Sequence, residues 1–175
     1  SAASDVYKRQ ILFSDNVELY IPPKKGKSHV LRIIRELLEF KSKSKKTDIN
    51  VPLKFVSNIL KNRSIAFIIS DFISQDYSNS LKIFSSRHDV TGIRIYDKTE
   101  EIIPNLGVID INDNETGKRI TVNTSSKKIR RKYNEYYNSK RREFEDYFKR
   151  SGSGIIECNT QDDYQKKLLK YFKSR

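Results

Sequence analysis

The apolar residues of this chain fall into short blocks, and one block is continuous. Five apolar residues run through Ile65–Ile69 and are followed at once by Ser70 and Asp71. A continuous apolar run of this length, bounded by polar residues, predicts a strand buried on both faces. Such strands belong to parallel sheets, which bind ligands beyond the carboxyl ends of their strands. The sequence therefore predicts that Asp71 stands at a functional edge.

Six further segments have the pattern of strands, so that the predicted strands lie at residues 11–16, 17–21, 65–70, 90–96, 108–111, 119–122 and 154–158. The first two predict a hairpin, which Pro22-Pro23 should end. The strand at 90–96 is expected to be buried and also ends on an acid, Asp97. The fifth and sixth strands predict a hairpin with a long tip, in which Gly117 is available for positive φ.

Five segments show the three- and four-residue spacing of amphipathic helices. They follow Ser28 and Asn50, surround Leu81–Phe84, and cover 126–150 and 161–172. Ser28 is expected to cap the first helix. The last helix should turn Tyr164, Leu168, Leu169 and Phe172 inward. Strands that alternate with helices predict an α/β sandwich with a mostly parallel sheet.

The length, composition and cysteine content of the chain indicate the number of domains and the cellular compartment. A chain of 175 residues predicts one domain, here residues 11–175, after a leader over residues 1–10 that does not belong to it. Only 36% of the residues are hydrophobic, and no apolar run is long enough to span a bilayer. Cys158 is the single cysteine, which excludes an internal disulfide and favours the cytoplasm.

The charge is strongly basic and uneven. The net charge is +13, and residues 118–150 hold twelve Lys/Arg against four Asp/Glu. A basic face can attract nucleic acid, an anionic membrane or an acidic protein, or it can be a solvated helix face. Aromatic residues between the basic ones, such as Tyr137 and Phe144, can stack on bases or belong to the core.

Thr47 and Asp71 form the first candidate site. Thr47 opens a loop before a helix and Asp71 ends a strand, and in a doubly wound sheet such loops lie side by side. A hydroxyl and a carboxylate suit Mg²⁺, which prefers oxygen ligands. Alternatively, Thr47 caps a helix and Asp71 accepts hydrogen bonds from loop amides. Neither His29 nor His88 has a partner at zinc-ligand spacing.

A second candidate site consists of three carboxylates. Asp71, Asp97 and Glu100 could form an acidic metal cluster for phosphoester hydrolysis, as in a metal-dependent nuclease or phosphotransfer enzyme. This alternative requires the three carboxylates to converge. There is no Gly-rich phosphate loop, and Cys158 has no assigned base for nucleophilic catalysis.

Several motifs occur together in one order and resemble a known family. They are Phe13-Ser14-Asp15, Glu18–Pro23, His29–Leu38, Thr47-Asp48-Ile49, Ser70-Asp71-Phe72, Arg87–Val90, Asp97 with Glu100, and Glu115-Thr116-Gly117. The chain resembles, from about Ile11 to Arg175, a bacterial family of unknown function with a von Willebrand factor A-like domain. Members of that family accompany MoxR-type AAA ATPases.

The resemblance implies a fold and a site. It implies a Rossmann-like three-layer sandwich, with a mostly parallel sheet and one antiparallel edge strand. It also implies a metal-ion-dependent adhesion site that holds Mg²⁺ or Mn²⁺. In this site Thr47 is the threonine, Asp71 is the later aspartate that holds the metal through water, and a partner's acid completes the shell.

One family motif is missing from this sequence. The Asp-x-Ser-x-Ser loop, which in the family follows the first strand, occurs nowhere in the chain. We therefore expect a truncated domain that lacks a central strand, with unpaired backbone edges and exposed apolar surface. We also expect weak or absent Mg²⁺ binding.

The sequence thus predicts a non-enzymatic protein-interaction domain with an incomplete metal site. Its partner is expected to be a MoxR-type ATPase, on the resemblance alone. Ser70, Asp97 and Glu100 are expected to line the interaction rim beside the metal residues. Nucleic-acid binding through residues 126–150 remains a further hypothesis, and it predicts affinity that falls steeply with salt.

Overall fold

The computed structural model describes residues 6–112 and 119–174. The chain forms two compact units, Ser1–Ile59 and Leu60–Arg175. Strands and helices alternate through most of the described residues, so the predicted α/β class is confirmed. Gly117 and the Glu115-Thr116-Gly117 motif lie outside the described residues.

Unit 1 is a hairpin with two helices. Its elements are β1 (Lys8–Phe13), β2 (Val17–Lys24), α1 (Lys27–Glu39) and α2 (Asn50–Ile59). The two strands pair in antiparallel fashion, as predicted. β1 begins at Lys8, three residues before the predicted start. Thr47 lies in the loop before α2.

Two local predictions in unit 1 are wrong. Pro22 and Pro23 do not end β2, which continues to Lys24. Among the described strands β2 pairs only with β1, and prolines are tolerated on such an edge strand. Ser28 does not cap α1, because the cap position is Gly26, whose φ of 98° suits glycine.

Unit 2 contains a parallel sheet and a separate hairpin. Its elements are β3 (Ile65–Ser70), α3 (Ser78–Ser85), β4 (Asp89–Tyr96), β5 (Val108–Asn112), β6 (Arg119–Asn123), α4 (Lys127–Arg150), β7 (Gly154–Asn159) and α5 (Tyr164–Lys173). β3, β4 and β7 pair in parallel in that order, whereas β5 and β6, among the strands that the structure describes, pair only with each other.

The parallel sheet of unit 2 lies between helices. A Cβ atom on Gly92 would lie 2.5 Å from the ring of Phe148 in α4. The preceding residue, Thr91, lies 3.1 Å from the hydroxyl of Tyr171 in α5. Because consecutive residues of a strand point to opposite faces, α4 and α5 cover opposite faces of the sheet. Unit 2 is therefore layered as helix, sheet and helix.

The core under α4 is aromatic. Phe144 and Phe148 are fully buried, and both rings contact Phe72, with centroids 4.3 and 5.3 Å away. Tyr137 is also buried. These three α4 rings therefore belong to the core, which decides against base stacking as their role.

The prediction that β3 is buried on both faces is wrong. Ile65, Phe67 and Ile69 are 69%, 45% and 55% exposed. Among the described strands β3 pairs only with β4, so it is an edge strand with one face largely open. The helix on that side, α5, covers the middle of the sheet through Tyr171.

The predicted inward face of α5 is wrong for most of its residues. Tyr164, Leu169 and Phe172 are exposed. Phe172 nevertheless meets the Phe67 ring edge-on at 5.8 Å. An apolar surface therefore continues from the open face of β3 to the end of α5.

Candidate functional site

The carboxyl ends of β3, β4 and β7 lie along one edge of the parallel sheet, the carboxyl rim. Asp71 follows β3, and Asp97 follows β4. Thr160, directly after β7, completes the rim. The structure therefore places Asp71 and Asp97 at the strand ends where the sequence predicts them, and parallel pairing brings both ends to the same edge.

Asp71 is exposed and lies in a tight turn. Its Oδ1 accepts hydrogen bonds from the Ile73 amide at 3.1 Å and the Ser70 hydroxyl at 3.3 Å. The Ser70 hydroxyl in turn accepts from the Phe72 amide at 3.1 Å. No described residue donates a hydrogen bond to Oδ2. This second oxygen is therefore available to a water, a cation or a partner's donor.

The turn at Asp71 contains strained backbone. Phe72 has φ of 60°, the left-handed region that residues other than glycine rarely adopt. Its buried side chain packs against Phe144, Phe148 and Tyr77. Packing therefore keeps the backbone in this conformation. Strain of this kind, about 1–3 kcal/mol, clusters at functional sites.

Asp97 makes structural contacts on both of its oxygens. Oδ1 accepts from the amide and the hydroxyl of Thr99, both at 2.8 Å, and Oδ2 accepts from the Thr160 hydroxyl at 3.2 Å. These bonds, led by that of the Thr99 amide, lower the pKa of Asp97. Asp97 thus caps the short 3₁₀ helix Lys98–Glu100 and ties the ends of β4 and β7 together.

The three-carboxylate alternative lacks the arrangement that it requires. Among residues 6–112 and 119–174, no three His, Cys, Asp or Glu side chains form a group that could hold a metal. Asp71, Asp97 and Glu100 therefore do not converge. Glu100 is exposed on the 3₁₀ helix that Asp97 caps.

Thr47 is half-buried and lies beside the carboxyl end of β1 within unit 1. The amide of the next residue, Asp48, donates to the Ser14 carbonyl at 3.1 Å. The Asp48 side chain accepts from the Asn50 amide at 2.9 Å and thereby supports the start of α2. Thr47 belongs to unit 1 and Asp71 to unit 2, and their pairing stays a prediction.

Glu18 has a role that the sequence analysis missed. Its Oε1 accepts from the Ser14 hydroxyl at 2.7 Å, the Ser42 hydroxyl at 3.0 Å and the amides of Lys43 and Ser44. These bonds, led by that of Ser14, lower the pKa of Glu18. Glu18 thus fixes the basic loop before Thr47. The sequence signal for this role was an acid within an apolar strand, together with a Ser-rich loop after the next helix.

Arg94 is a buried cation that the sequence analysis also missed. It is 2% exposed within β4 and lies 3.3 Å from Glu157 of β7. Glu157 also binds Arg141 of α4 through two hydrogen bonds, at 3.0 and 2.7 Å. The Arg94 guanidinium further lies 4.7 Å from the Tyr96 ring centre. A charge inside an apolar strand signals such a partner, because isolated buried charges are very costly.

Comparison with known proteins gives a family and two solved structures. Residues 9–143 match the family described as "Protein of unknown function DUF58". No curated protein matches the chain. The family of unknown function implied by the motifs is thus confirmed, whereas the von Willebrand A-like domain and the MoxR association stay predictions.

The two solved structures share the fold. An aerotolerance-related membrane protein from Bacteroides fragilis NCTC 9343, with multiple mutations to serines, has a TM-score of 0.57 and 16% identity over 97% of this chain and 80% of that chain. The conserved hypothetical protein BatB from Bacteroides thetaiotaomicron has a TM-score of 0.57 and 12% identity over 96% of this chain and 78% of that chain. Within the described residues of this chain, no helix combines the length and apolarity of a membrane span.

Proposed function

The chain belongs to the DUF58 family of proteins of unknown function, and we propose that it is a non-enzymatic protein-interaction domain of the von Willebrand A type. Its docking surface is the carboxyl rim at Asp71 together with the open face of β3. The observation that carries this proposal is the Asp71 turn. Packing of the buried Phe72 side chain keeps a strained backbone directly after the exposed Asp71, whose Oδ2 accepts no hydrogen bond from the described residues.

The open face of β3 supports an interaction role. Three large apolar side chains, Ile65, Phe67 and Ile69, are exposed in a row on one strand. The outer backbone edge of β3 has no pairing partner among the described strands. Exposed apolar strand edges are surfaces on which other chains pair.

A metal at this site would have few ligands from the chain itself. Thr47 and Asp71 offer oxygen donors of the type that Mg²⁺ or Mn²⁺ accepts. Two donors are too few for tight binding, so water and a partner's acid would complete the shell. Ser70, through its hydrogen bond to Asp71, orients the carboxylate. Isothermal titration should therefore show weak or no Mg²⁺ binding to the chain alone, and tight stoichiometric binding would contradict this.

The partner that we propose is a MoxR-type AAA ATPase, on the family resemblance. The test is capture of the chain by the immobilised ATPase from the same organism, with Mg²⁺ and with a chelator. Asp71→Ala and Thr47→Ala should each abolish Mg²⁺-dependent capture. Asp146→Ala removes an exposed acid of α4 and should leave capture unchanged.

Circular dichroism of each variant separates loss of capture from loss of fold. Capture that survives both Asp71→Ala and chelation would refute the metal-bridged interaction. Equal loss in Asp71→Ala and Asp146→Ala would show that general charge, not the Asp71 turn, governs the association.

A further inference from the structure

The β5–β6 hairpin and the segment before it carry exposed aliphatic side chains that the proposed function does not use. We define the aliphatic set as Ile102, Leu106, Val108, Ile111 and Ile120, all of which are exposed. Ile111 and Ile120 are directly paired across the hairpin, so their side chains share one face. Exposed aliphatic side chains that lie side by side on one face, as Ile111 and Ile120 do, are typical of an interaction surface.

A strongly basic segment follows the hairpin without interruption. Residues 119–134 contain six Lys/Arg and no Asp or Glu. Lys127, Lys128 and Lys132 are exposed at the start of α4, and no carboxylate of the described residues forms an ion pair with them. Arg119 and Arg131, by contrast, pair with Asp110 and Glu135. The three lysines therefore present uncompensated positive charge.

Hydrogen bonds join the base of the hairpin to the start of α4. The Thr124 hydroxyl donates to the Gly107 carbonyl at 2.7 Å and accepts from the Leu106 amide at 2.9 Å. Arg130 donates to the Thr124 carbonyl at 2.5 Å. The hairpin and the basic segment are thus held together as one element of unit 2.

We propose that this element binds the surface of an anionic lipid bilayer. Aliphatic side chains insert at the boundary of headgroups and acyl chains, while Lys and Arg contact anionic headgroups. A single-stranded nucleic acid would instead need exposed aromatic rings for stacking, and Tyr133, the one aromatic residue in residues 119–134, is half-buried. Residues 108–134, which include the hairpin, hold seven Lys/Arg against three Asp/Glu, so the whole element is net positive, and its charge and side-chain chemistry favour lipid.

Vesicle flotation tests the proposal with the full chain. Phosphatidylcholine vesicles that contain phosphatidylglycerol should bind the chain, pure phosphatidylcholine vesicles should bind it much less, and about 1 M salt should weaken binding through screening. The triple variant Lys127→Gln, Lys128→Gln, Lys132→Gln should lower partitioning on the order of 100-fold, at about five-fold per cation. The matched triple variant Lys41→Gln, Lys45→Gln, Lys46→Gln removes equal charge from a loop of unit 1 and should lower partitioning less than about three-fold.

A tryptophan reporter tests the aliphatic contact separately. The chain contains no Trp, so Ile111→Trp gives a single tryptophan on the hairpin, which can be excited selectively at about 295 nm. Its emission should shift to the blue with anionic vesicles and be quenched by brominated acyl chains. Leu38→Trp, at an exposed position of α1, should show neither effect.

Three outcomes would overturn the proposal. They are equal binding by the two triple variants, no spectral response of Ile111→Trp, and binding of duplex DNA that depends on the three lysines in the absence of vesicle binding. The last outcome would assign the basic segment to nucleic acid.

Discussion

Gly92 is the position at which the structure makes its sharpest stability prediction. It lies on β4 directly beneath α4, and an added Cβ would lie 2.5 and 2.6 Å from ring atoms of Phe148 and 2.8 Å from Phe144. Ordinary carbon contacts are about 3.5–4.0 Å. Gly92→Ala therefore requires both rings to move by about 1 Å.

The surrounding packing sets the magnitude. Phe144 and Phe148 are fully buried, and Phe72 packs against both rings. The rings have little room to move, so we expect the upper part of the overpacking range, about 3 kcal/mol. Replacing a strand glycine by alanine returns about 0.5–1 kcal/mol. The free energy of unfolding should thus fall by about 2 kcal/mol.

Urea unfolding followed by far-UV circular dichroism measures this change. A double-mutant cycle with Phe148→Leu, which shortens the clashing side chain, should show a favourable coupling of at least about 1 kcal/mol. Gly152→Ala is the control, because its φ of 68° brings strain while no atom of the described residues, apart from its chain neighbours, lies within 4 Å of its added Cβ. Its effect should be additive with Phe148→Leu. A cost for Gly92→Ala below about 0.5 kcal/mol, or an additive cycle, would refute the packing argument.

Two further predictions concern charged groups. Glu157→Gln leaves the buried Arg94 without its carboxylate partner, so the free energy of unfolding should fall by about 3 kcal/mol. The control, Glu135→Gln, breaks an exposed ion pair and should lower the free energy of unfolding by less than about 0.5 kcal/mol. Similar urea midpoints for the two variants would contradict this prediction. The pKa of Glu18 is lowered below its ordinary 4.5, chiefly by the Ser14 hydroxyl, so its stabilising contribution is present at neutral pH and is lost as the pH falls through the lowered value. Carbon-13 NMR should give a Glu18 midpoint below 4.5 that Ser14→Ala raises, and a midpoint unchanged by Ser14→Ala would speak against this hydrogen bond.

The pattern of apolar positions was sufficient for most elements. Continuous apolar runs and the period-two and period-three-to-four spacings predicted each described strand and α-helix between Ile11 and Phe172, with ends that differ by a few residues, but not the short 3₁₀ helix Lys98–Glu100. It also placed Asp71 and Asp97 directly after parallel strands. These features depend on residues near one another in sequence, and local periodicity records them.

The same pattern could not decide how completely each element is covered. The apolar run Ile65–Ile69 predicts burial on both faces, yet β3 is an edge strand with an open face. In α5 the apolar residues Leu169 and Phe172 are exposed, while Tyr171 meets the sheet. The exposure of a side chain depends on which other elements pack against it. The apolar character of a residue does not determine which element that is.

Local sequence thus determined the elements, their order, and the position of acidic residues at strand ends, because these follow from the chain's own periodicity. Tertiary structure alone decided that Arg94 meets Glu157, that Glu18 holds the loop before Thr47, and that Phe72 is strained beside Asp71. The contact of Arg94 with Glu157 and the contact of Glu18 with the loop join residues at least 24 positions apart. The strain at Phe72 depends on the packing of its side chain against α4, which no local pattern encodes.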